Sequence, residues 1–418
     1  MTRVIRGTRC RTLLPVLAAG CMAWPVAASA QSEGGDAASC EQPITFWHYY
    51  GGVATAPLEK LLARYTEETG VEVDPRLIPF GDFDRTILQS SVSNDLPDIA
   101  LVNVFQIPQF AEAGLIQDLS AQIEAWGEQD QYYPDLWATV VYEDAPYGVP
   151  HVADAYALWY NTAHFEEAGL EPPKTWDELQ SAAEKLAGDG RFGIAMSLVK
   201  GVEGSTPLII RHLSGGGEFA DWDNEAGRET LAQLKALVDS GAMSQGALNW
   251  IEDDVYAQFT NEQASMIVNS ASQVSIAREQ FPELEWSVTP LPKDESSTTR
   301  LDSEALTITR DAECPEAAWE LITWMQQPEV MNAYLPERNK LPVRKDVAEA
   351  PRWSEDEVFA AFIEQLGSAW APKGDDALDA VEILTRIQEA GQAAISGAKT
   401  PEAAAADLQG RIDEIKGR

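Results

Sequence analysis

The sequence is poor in the side chains from which thiol and metal sites are built. Only four cysteines and four histidines occur among 418 residues. The histidines lie far apart, and no CxxC pair or mixed His/Cys cluster accompanies them. The segment that starts at Asp221 begins like a calcium loop, but it has Ala226 and Ala232 where that loop needs glycine and glutamate. We therefore predict neither a metal site nor a cofactor.

Positive charge is also scarce. The chain has 30 lysines and arginines against 67 acidic residues, a net charge of −37 at pH 7. The first 30 residues hold four arginines and no acid, so residues 31–418 have 26 basic and 67 acidic residues, a net charge of −41. Such a surface repels nucleic acid and anionic membrane faces, and we expect no nucleic-acid partner.

Long apolar runs are absent after residue 30. Before it, four arginines lead into a short apolar stretch that two prolines interrupt, and Ala28-Ser29-Ala30 forms an A-x-A cleavage site. We therefore predict a signal peptide over residues 1–30 and a periplasmic protein. The alternative is a lipoprotein, because Leu17–Cys21 resembles a bacterial lipobox with Cys21 as the lipidated residue. Removal of residues 1–30 leaves Cys40 and Cys314 in an exported chain, which suggests one disulfide.

Motifs of common enzyme classes are missing as well. The sequence has no G-x-S-x-G elbow, no HExxH pair and no P-loop, so nucleophilic, zinc-protease and nucleotide chemistry lack support. We predict no catalytic residue.

What the sequence does contain is an alternation of strand and helix patterns. Apolar residues at helical spacing follow Thr55, and the short apolar run Asp98–Asn103 is typical of a strand buried on both faces. A similar alternation resumes with the apolar strand Ala155–Asn161. The pattern predicts an α/β protein in which helices cover a sheet, and the length suits two domains.

The segment Ile44–Gly52, ITFWHYYGG, places four aromatic side chains at the end of a predicted strand. Side chains alternate along a strand, so four successive rings cannot all face one core. Ligands of open α/β sheets bind outside the carboxyl ends of strands. Flat rings cover the CH faces of sugars, and imidazole bonds their hydroxyls. We therefore predict that Trp47, His48 and Tyr49 contact a ligand.

Several motifs in this order resemble the sugar-binding group of ABC importer solute-binding proteins, which includes maltose-binding proteins. The resemblance covers nearly all of residues 41–418. The motifs are the ITFWHYYGG strand, Leu96–Ile99 (LPDI), Tyr147–Pro150 (YGVP) followed by Ala157–Asn161 (ALWYN), Pro173–Leu179 (PKTWDEL), Phe259–Met266 (FTNEQASM) and Glu316–Glu320 (EAAWE).

The resemblance implies a two-lobed periplasmic-binding-protein fold, in which each lobe is a mostly parallel sheet flanked by helices. Hinge crossings near 150–155, 287–293 and 335–341 join the lobes. The lobes are expected at 41–152 with 292–336, and at 153–291 with 337–418. On this mapping Cys40 and Cys314 both belong to the first lobe, and a bond between them would stabilise it by roughly 4 kcal/mol.

The resemblance also implies ligand contacts from residues near the hinge and the cleft. A carboxylate accepts two sugar hydroxyls, an aromatic ring stacks on the sugar, and arginine binds an anion. The further candidates are Asp82, Asp154, Tyr156, Trp250, Asn269, Glu304 and Arg338, with Arg344 as a second arginine near the last crossing.

The implied function is the capture of a sugar or polyol in the interlobe cleft. Hinge closure would then deliver it to ABC permease subunits, and the protein is expected to act as a monomer. The aromatic residues favour a neutral sugar, and phosphorylated ligands rank lower because the sequence shows no concentrated basic patch. Two alternatives remain open. One is an exported glycoside-acting enzyme with carboxylates drawn from Asp82, Asp154 and Glu304. The other is a binding protein that reports to a sensor.

Overall fold

The computed structural model describes Cys40 and residues 42–417. The predicted signal peptide and Cys21 lie outside the described residues. The strands are β1 Ile44–His48, β2 Val73–Leu77, β3 Ile99–Asn103, β4 Val141–Tyr142, β5 Ala145–Pro146, β6 Val149–Asn161, β7 Phe192–Ala195, β8 Ala264–Ser270, β9 Trp286–Thr289, β10 Thr299–Ile308 and β11 Ala369–Trp370.

Helices connect these strands and cover the sheet. They are α1 Thr55–Thr69, α2 Phe80–Ser93, α3 Ile107–Glu112, α4 Ser120–Trp126, α5 Pro134–Ala138, α6 Thr162–Ala168, α7 Trp176–Leu186, α8 Thr206–Ser214, α9 Glu225–Asp239, α10 Glu252–Thr260, α11 Val274–Gln280, α12 Pro315–Met325, α13 Pro328–Arg338, α14 Lys345–Ala348, α15 Pro351–Ser354, α16 Glu357–Leu366, α17 Asp375–Leu378, α18 Ala380–Ile395 and α19 Pro401–Lys416. Within the described residues, no helix combines the length and apolarity needed to cross a bilayer.

One sheet runs through the molecule in the order β2-β1-β3-β10-β6-β8-β7, with β9 beside β6 and β11 beside β10. β1 is parallel to β2 and β3, and β7 is parallel to β8. The two long strands β6 and β10 are antiparallel to each other and join these two parts of the sheet. The predicted α/β class is therefore confirmed.

Local sequence explains where the elements begin and end. Every residue of β3 except Asn103 is buried, as its apolar run predicts. The side chain of Thr175 accepts a hydrogen bond from the backbone N–H of Glu178 at the start of α7. Gly70 ends α1 with φ at 78°, a left-handed conformation that glycine adopts without strain.

The second predicted crossing lies later in the chain than residues 287–293. Those residues form β9, which pairs with the far end of β6, and the loop after it. That loop stays with the second part of the sheet, because the N–H of Lys293 donates to Lys174 O and that of Glu295 to Ser214 O. The chain returns to β3 only with Glu304–Ile308 of β10. The polar run before Thr299 obscures this strand in the sequence.

Near the third predicted crossing, the chain pairs briefly with β6. The N–H of Leu341 donates to Ala153 O at 2.8 Å, and the N–H of Ala153 donates to Leu341 O at 3.2 Å. Asn339, just before this bridge, has φ at 52° and ends α13. These two hydrogen bonds hold the segment Arg338–Leu341 against β6.

A disulfide joins Cys40 to Cys314, whose Cα atoms lie 5.8 Å apart. Asp98 supports the same place: its carboxylate accepts hydrogen bonds from the N–H of Cys314 at 2.8 Å and from the N–H and Oγ1 of Thr45. The chain entering β1 is thus tied to the chain entering α12, across 274 residues of sequence.

We expect the double substitution Cys40→Ser, Cys314→Ser to lower the free energy of unfolding by about 4 kcal/mol, because the open chain gains loop entropy. Urea unfolding of residues 31–418 measures the change. The unsubstituted protein in excess reductant should match the double variant, and no difference between oxidised and reduced protein would contradict the prediction.

Candidate functional site

A stripe of charged and polar side chains lies on one face of β6 and β10, the two strands that join the two parts of the sheet. Side chains alternate along a strand, so Arg300, Asp302 and Glu304 of β10 share one face. Asp302 lies directly opposite Asp154 of β6, which shares its face with Tyr156. We call the following set the junction site: Tyr49, Tyr50, Asp154, Tyr156, Glu252, Arg300, Asp302, Glu304, Tyr334, Arg338 and Lys340.

Two like charges face each other at the centre of the junction site. Asp154 and Asp302 are direct cross-strand partners, an arrangement that destabilises a sheet. Lys340 Nζ lies 3.3 Å from Asp154 Oδ2, and Asn103 Nδ2 donates to Asp302 Oδ1 at 3.3 Å. Asp154 Oδ1 also accepts hydrogen bonds from the N–H groups of Ala155 and Ala271. Lys340 therefore compensates a repulsion that the strand pairing enforces.

Protonation at this centre reflects both burial and charge. Burial raises the pKa of Asp154, and Lys340 opposes that shift. Burial alone would lower the pKa of Lys340, but the carboxylates of Asp154, Glu304 and Asp302 raise it. Lys340 thus keeps its charge beside Asp154.

Glu304 has unused hydrogen-bonding capacity. Its side chain is buried, and Oε2 has no hydrogen-bond partner among the described residues. Burial raises the pKa of Glu304 to about 7, against the opposing effect of Lys340. Near neutral pH this carboxyl group therefore exists in both protonated and ionised forms.

Three tyrosines form an aromatic wall beside Glu304 and Arg338. The Oη atoms of Tyr49, Tyr50 and Tyr334 are buried, and none makes a hydrogen bond of regular geometry within the part of the chain that the structure describes, although Arg338 lies close enough to Tyr50 and Tyr334 to oppose the rise of their pKa values. The Cζ atom of Arg338 lies 3.8 Å from the centroid of the Tyr50 ring. Burial raises the pKa of each tyrosine, and Glu304 contributes to each shift.

At the end of the stripe near Tyr156 and Arg300, more of the polar atoms have hydrogen-bond partners. Tyr156 Oη donates to Glu252 Oε1 at 2.6 Å, and the N–H of Glu252 donates to Glu203 Oε1 at 2.7 Å. Arg300 Nη1 donates to Thr206 Oγ1 at 2.8 Å. Burial raises the pKa of Glu252 to about 7, although the hydrogen bond from Tyr156 lowers it.

Of the predicted ligand contacts, the structure brings Tyr49, Asp154, Tyr156, Glu304 and Arg338 together. Asn269 lies next to them, because its Nδ2 donates to Glu252 O at 3.2 Å. His48 is buried beside Tyr50, and burial together with Arg338 lowers its pKa to about 4. Its Nδ1 accepts a hydrogen bond from the N–H of Tyr50.

Three other predicted contacts are not brought into this set. Trp47 points to the other side of β1 from His48, and the Cζ of Arg76 lies 4.6 Å from its ring centroid. Asp82 is half exposed and forms an ion pair with Arg85 in its own helix. Trp250 packs among partly buried apolar residues near Phe192. Arg344, the second arginine, is used in ion pairs with Glu128 and Asp346.

Sequence reasoning missed several members of the junction site, namely Arg300, Asp302, Glu252, Tyr334 and Lys340. One signal was present: Arg300, Asp302 and Glu304 recur at every second position, the period of a strand. The polar residues around them made the segment resemble a loop. Nothing local marks Lys340, whose role depends on the distant Asp154.

One protein family matches most of this chain. The profile of the family described as bacterial extracellular solute-binding protein matches residues 51–332. A putative binding protein of Brucella abortus (strain 2308) is 22% identical over 360 residues, which cover 84% of this chain and 87% of that protein.

Two solved structures resemble this one. The sugar-binding protein MalE from Xanthomonas citri has a TM-score of 0.80 at 20% identity, covering 90% of this chain and 97% of that one. An ABC transporter solute-binding protein from Thermotoga lettingae, bound with alpha-D-tagatose, has a TM-score of 0.78 at 24% identity, covering 90% and 99%. At these identities the likeness establishes the fold, and the predicted two-lobed architecture is confirmed.

We expect Lys340→Met to lower the free energy of unfolding by about 3 kcal/mol at pH 8, because it leaves the buried Asp154 carboxylate unpaired opposite Asp302. Adding Asp302→Asn should recover part of the loss by removing the facing charge. Thermal and urea unfolding of the two single variants and the double variant measure the coupling. Equal effects of Asp302→Asn with and without Lys340 would contradict it.

We expect Glu304→Gln to become progressively more stable than the unsubstituted protein as the pH rises from 4.5 to 8. The folded pKa of Glu304, about 7, exceeds the ordinary 4.5, so the folded protein holds the proton more tightly and loses stability as that proton leaves. The difference in unfolding free energy should grow by about 3 kcal/mol across this range.

Urea unfolding at pH 5, 6, 7 and 8 measures that difference, with Glu184→Gln on the exposed face of α7 as the control. The histidines are the same in every variant, so their contribution cancels in the comparison. A pH-independent difference would refute the assignment.

Proposed function

Because the chain belongs to the family of bacterial extracellular solute-binding proteins, we propose that it binds a sugar or related polyhydroxylated solute at the junction site. It delivers this solute to the permease of an ABC transporter. The observation that carries the proposal is the set of buried polar atoms without partners among the described residues of that site. They are Tyr49 Oη, Tyr50 Oη, Tyr334 Oη, Glu304 Oε2, Arg300 Nε and Arg338 Nε.

Burying a polar atom without a partner costs about 1–3 kcal/mol. Six such atoms on one surface therefore favour a ligand that supplies their hydrogen bonds. A sugar presents hydroxyl groups of both donor and acceptor character and an apolar CH face. The tyrosine rings match that face, and the orphan oxygen and nitrogen atoms match the hydroxyl groups.

The mechanism we propose is hinge closure about the shared strands. The lobes comprise 41–152 with 292–336, and 153–291 with 337–418, except that residues 292–298 stay with the second lobe. The solute contacts the first lobe through Tyr49 and Tyr50 and the second through Tyr156. Because both sets of contacts form only in the closed state, binding shifts the population toward closure.

The location and partners follow from this role. We propose a periplasmic monomer, released by cleavage after residue 30, that docks on ABC permease subunits when closed. Attachment through lipidated Cys21 is the alternative form.

The protein transports its solute without changing it chemically. Among the carboxylates considered for a glycoside-acting enzyme, Asp82 is engaged by Arg85 on the surface, and Asp154 is held by Lys340 and two backbone N–H groups. Neither is free to act as nucleophile or base, and Glu304 alone does not supply the pair of carboxylates that glycoside hydrolysis uses, which favours binding over hydrolysis. A protein that reports to a sensor would bind in the same way and would act on a different membrane partner.

We expect a thermal-shift screen of residues 31–418 to identify a sugar or polyol that raises the unfolding free energy by about 2.7 kcal/mol at 100 times its dissociation constant. Prolonged incubation with that solute should yield no product. Consumption of a glycoside would establish an enzyme instead, and no shift with any polyhydroxylated compound would reject the proposed solute class.

Two tyrosine variants test whether an orphan hydroxyl group of the junction site binds the solute. Tyr334→Phe removes an orphan hydroxyl, so affinity should fall about tenfold while the stability of the ligand-free protein does not fall. Tyr132→Phe is the matched control, because its Oη donates to Gln326 outside the junction site. It should lower stability and leave affinity unchanged.

A further inference from the structure

Four arginines among the described residues are more than nine-tenths buried: Arg211, Arg300, Arg338 and Arg344. Arg211 forms ion pairs with Glu229 and Asp294. Arg344 pairs in the same way with two carboxylates, at 2.8 and 2.6 Å. Within the described ranges, Arg300 and Arg338 form no ion pair within 4.0 Å, and the Nε atom of each has no partner.

The contacts of these two arginines are with neutral groups. Arg338 lies over the Tyr50 ring, and Arg300 donates to the Thr206 hydroxyl and lies 5.4 Å from the centroid of the Phe105 ring. A buried charge without a counter-ion costs several kcal/mol. In a chain with 67 acidic and 30 basic residues, acidic partners are plentiful, so two unpaired guanidinium groups in one site require an explanation.

The carboxylates nearby form no ion pair with these arginines. Asp154 is paired with Lys340, Asp302 accepts a hydrogen bond from Asn103, and Glu252 accepts one from Tyr156. Among the described residues, the direct contacts of both guanidinium groups are therefore with hydroxyl groups and aromatic rings, and an incoming anion would be their first close counter-ion.

We propose that the solute is an anion, a polyhydroxylated molecule with a carboxylate or phosphate group whose negative charge is balanced by Arg300 and Arg338. Guanidinium binds both kinds of anion through paired hydrogen bonds. The inference deepens the proposed function and rests on it. It revises the expectation of a neutral ligand, because the fold brings Arg300 and Arg338 from distant positions into one site, where neither has an ion-pair partner among the described residues.

Isothermal titration of residues 31–418 at pH 7 against matched pairs tests the proposal. The pairs are D-glucuronate with D-glucose and D-gluconate with D-glucitol, and D-glucose 6-phosphate is the phosphate arm. We expect at least one acid to bind tenfold or more tightly than its neutral counterpart, and the better of carboxylate and phosphate identifies the anionic group. If the neutral members bind as tightly as the acids, or more tightly, the anion assignment is overturned.

A failure of the proposed transport function would give a different titration result from a failure of the anion proposal. If no compound of either kind binds, solute recognition of this class is rejected, and the anion proposal falls with it. Binding of neutral members alone leaves the transport function in place and removes only the anion.

Arginine variants test which side chains bind the anionic group of the solute. Arg338→Gln and Arg300→Gln should weaken binding of the acid about tenfold more than they weaken binding of the neutral counterpart, because only the acid loses a charged partner. Arg338→Lys retains the charge without the planar fork and should give an intermediate loss. Arg352→Gln, which removes an exposed arginine, should change neither.

Equal weakening of acid and neutral ligand would mean that the arginines bind hydroxyl groups, and it would overturn the proposal. Circular dichroism melting checks that each variant folds. If Arg338→Gln does not fold, Arg338→Lys and Arg300→Gln carry the comparison.

Discussion

The direct opposition of Asp154 and Asp302 is the constraint around which the junction site is arranged. The pairing of β6 with β10 fixes both positions, so the two carboxylates cannot separate without breaking the register. Their repulsion requires a cation, and Lys340 supplies it from a third segment that backbone hydrogen bonds hold against Ala153. Charge compensation and chain crossing are therefore one feature, and Arg338 is positioned by the same segment.

The site differs from an ordinary buried polar cluster in how its atoms are satisfied. Around Arg344 and Arg211, each guanidinium meets two carboxylates, as structural arginines usually do. In the junction site, hydroxyl, carboxyl and guanidinium atoms remain without partners. A protein bears such a cost where a ligand removes it, which is why unsatisfied atoms are better evidence of binding than the number of aromatic rings.

The sequence was most informative where pattern and position coincide. The apolar run of β3 predicted a buried strand, and the order of motifs predicted the two-lobed fold. Tyr49 was predicted from its place at the end of a strand, and Asp154 and Glu304 from the family resemblance, which puts them near the hinge and the cleft. Trp47 was predicted in the same way as Tyr49, but in the structure its ring lies under Arg76, away from the junction site.

What the sequence could not supply is pairing between distant segments. The sequence gives no sign that Lys340 has a special role, because that role depends on its contact with Asp154 of β6. Arg300 likewise becomes notable only because the structure shows no carboxylate paired with it among the described residues. The crossing at β10 was misplaced for a related reason. Its polar residues are those of the site, so function there overrides the apolar pattern by which strands are recognised.

Asn339 separates Arg338 from Lys340 in a left-handed conformation, while the bridge to β6 uses only backbone atoms of Leu341 and Ala153. The bridge therefore does not depend on the side chain at 338, but it fixes how many residues separate Arg338 and Lys340 from it. In evolutionary terms, substitution at position 338 can alter cargo preference while Lys340 continues to offset the facing carboxylates, whereas an insertion or deletion between Lys340 and Leu341 would displace both cations at once. Diversification of cargo by substitution in a segment of constant length is the expected result.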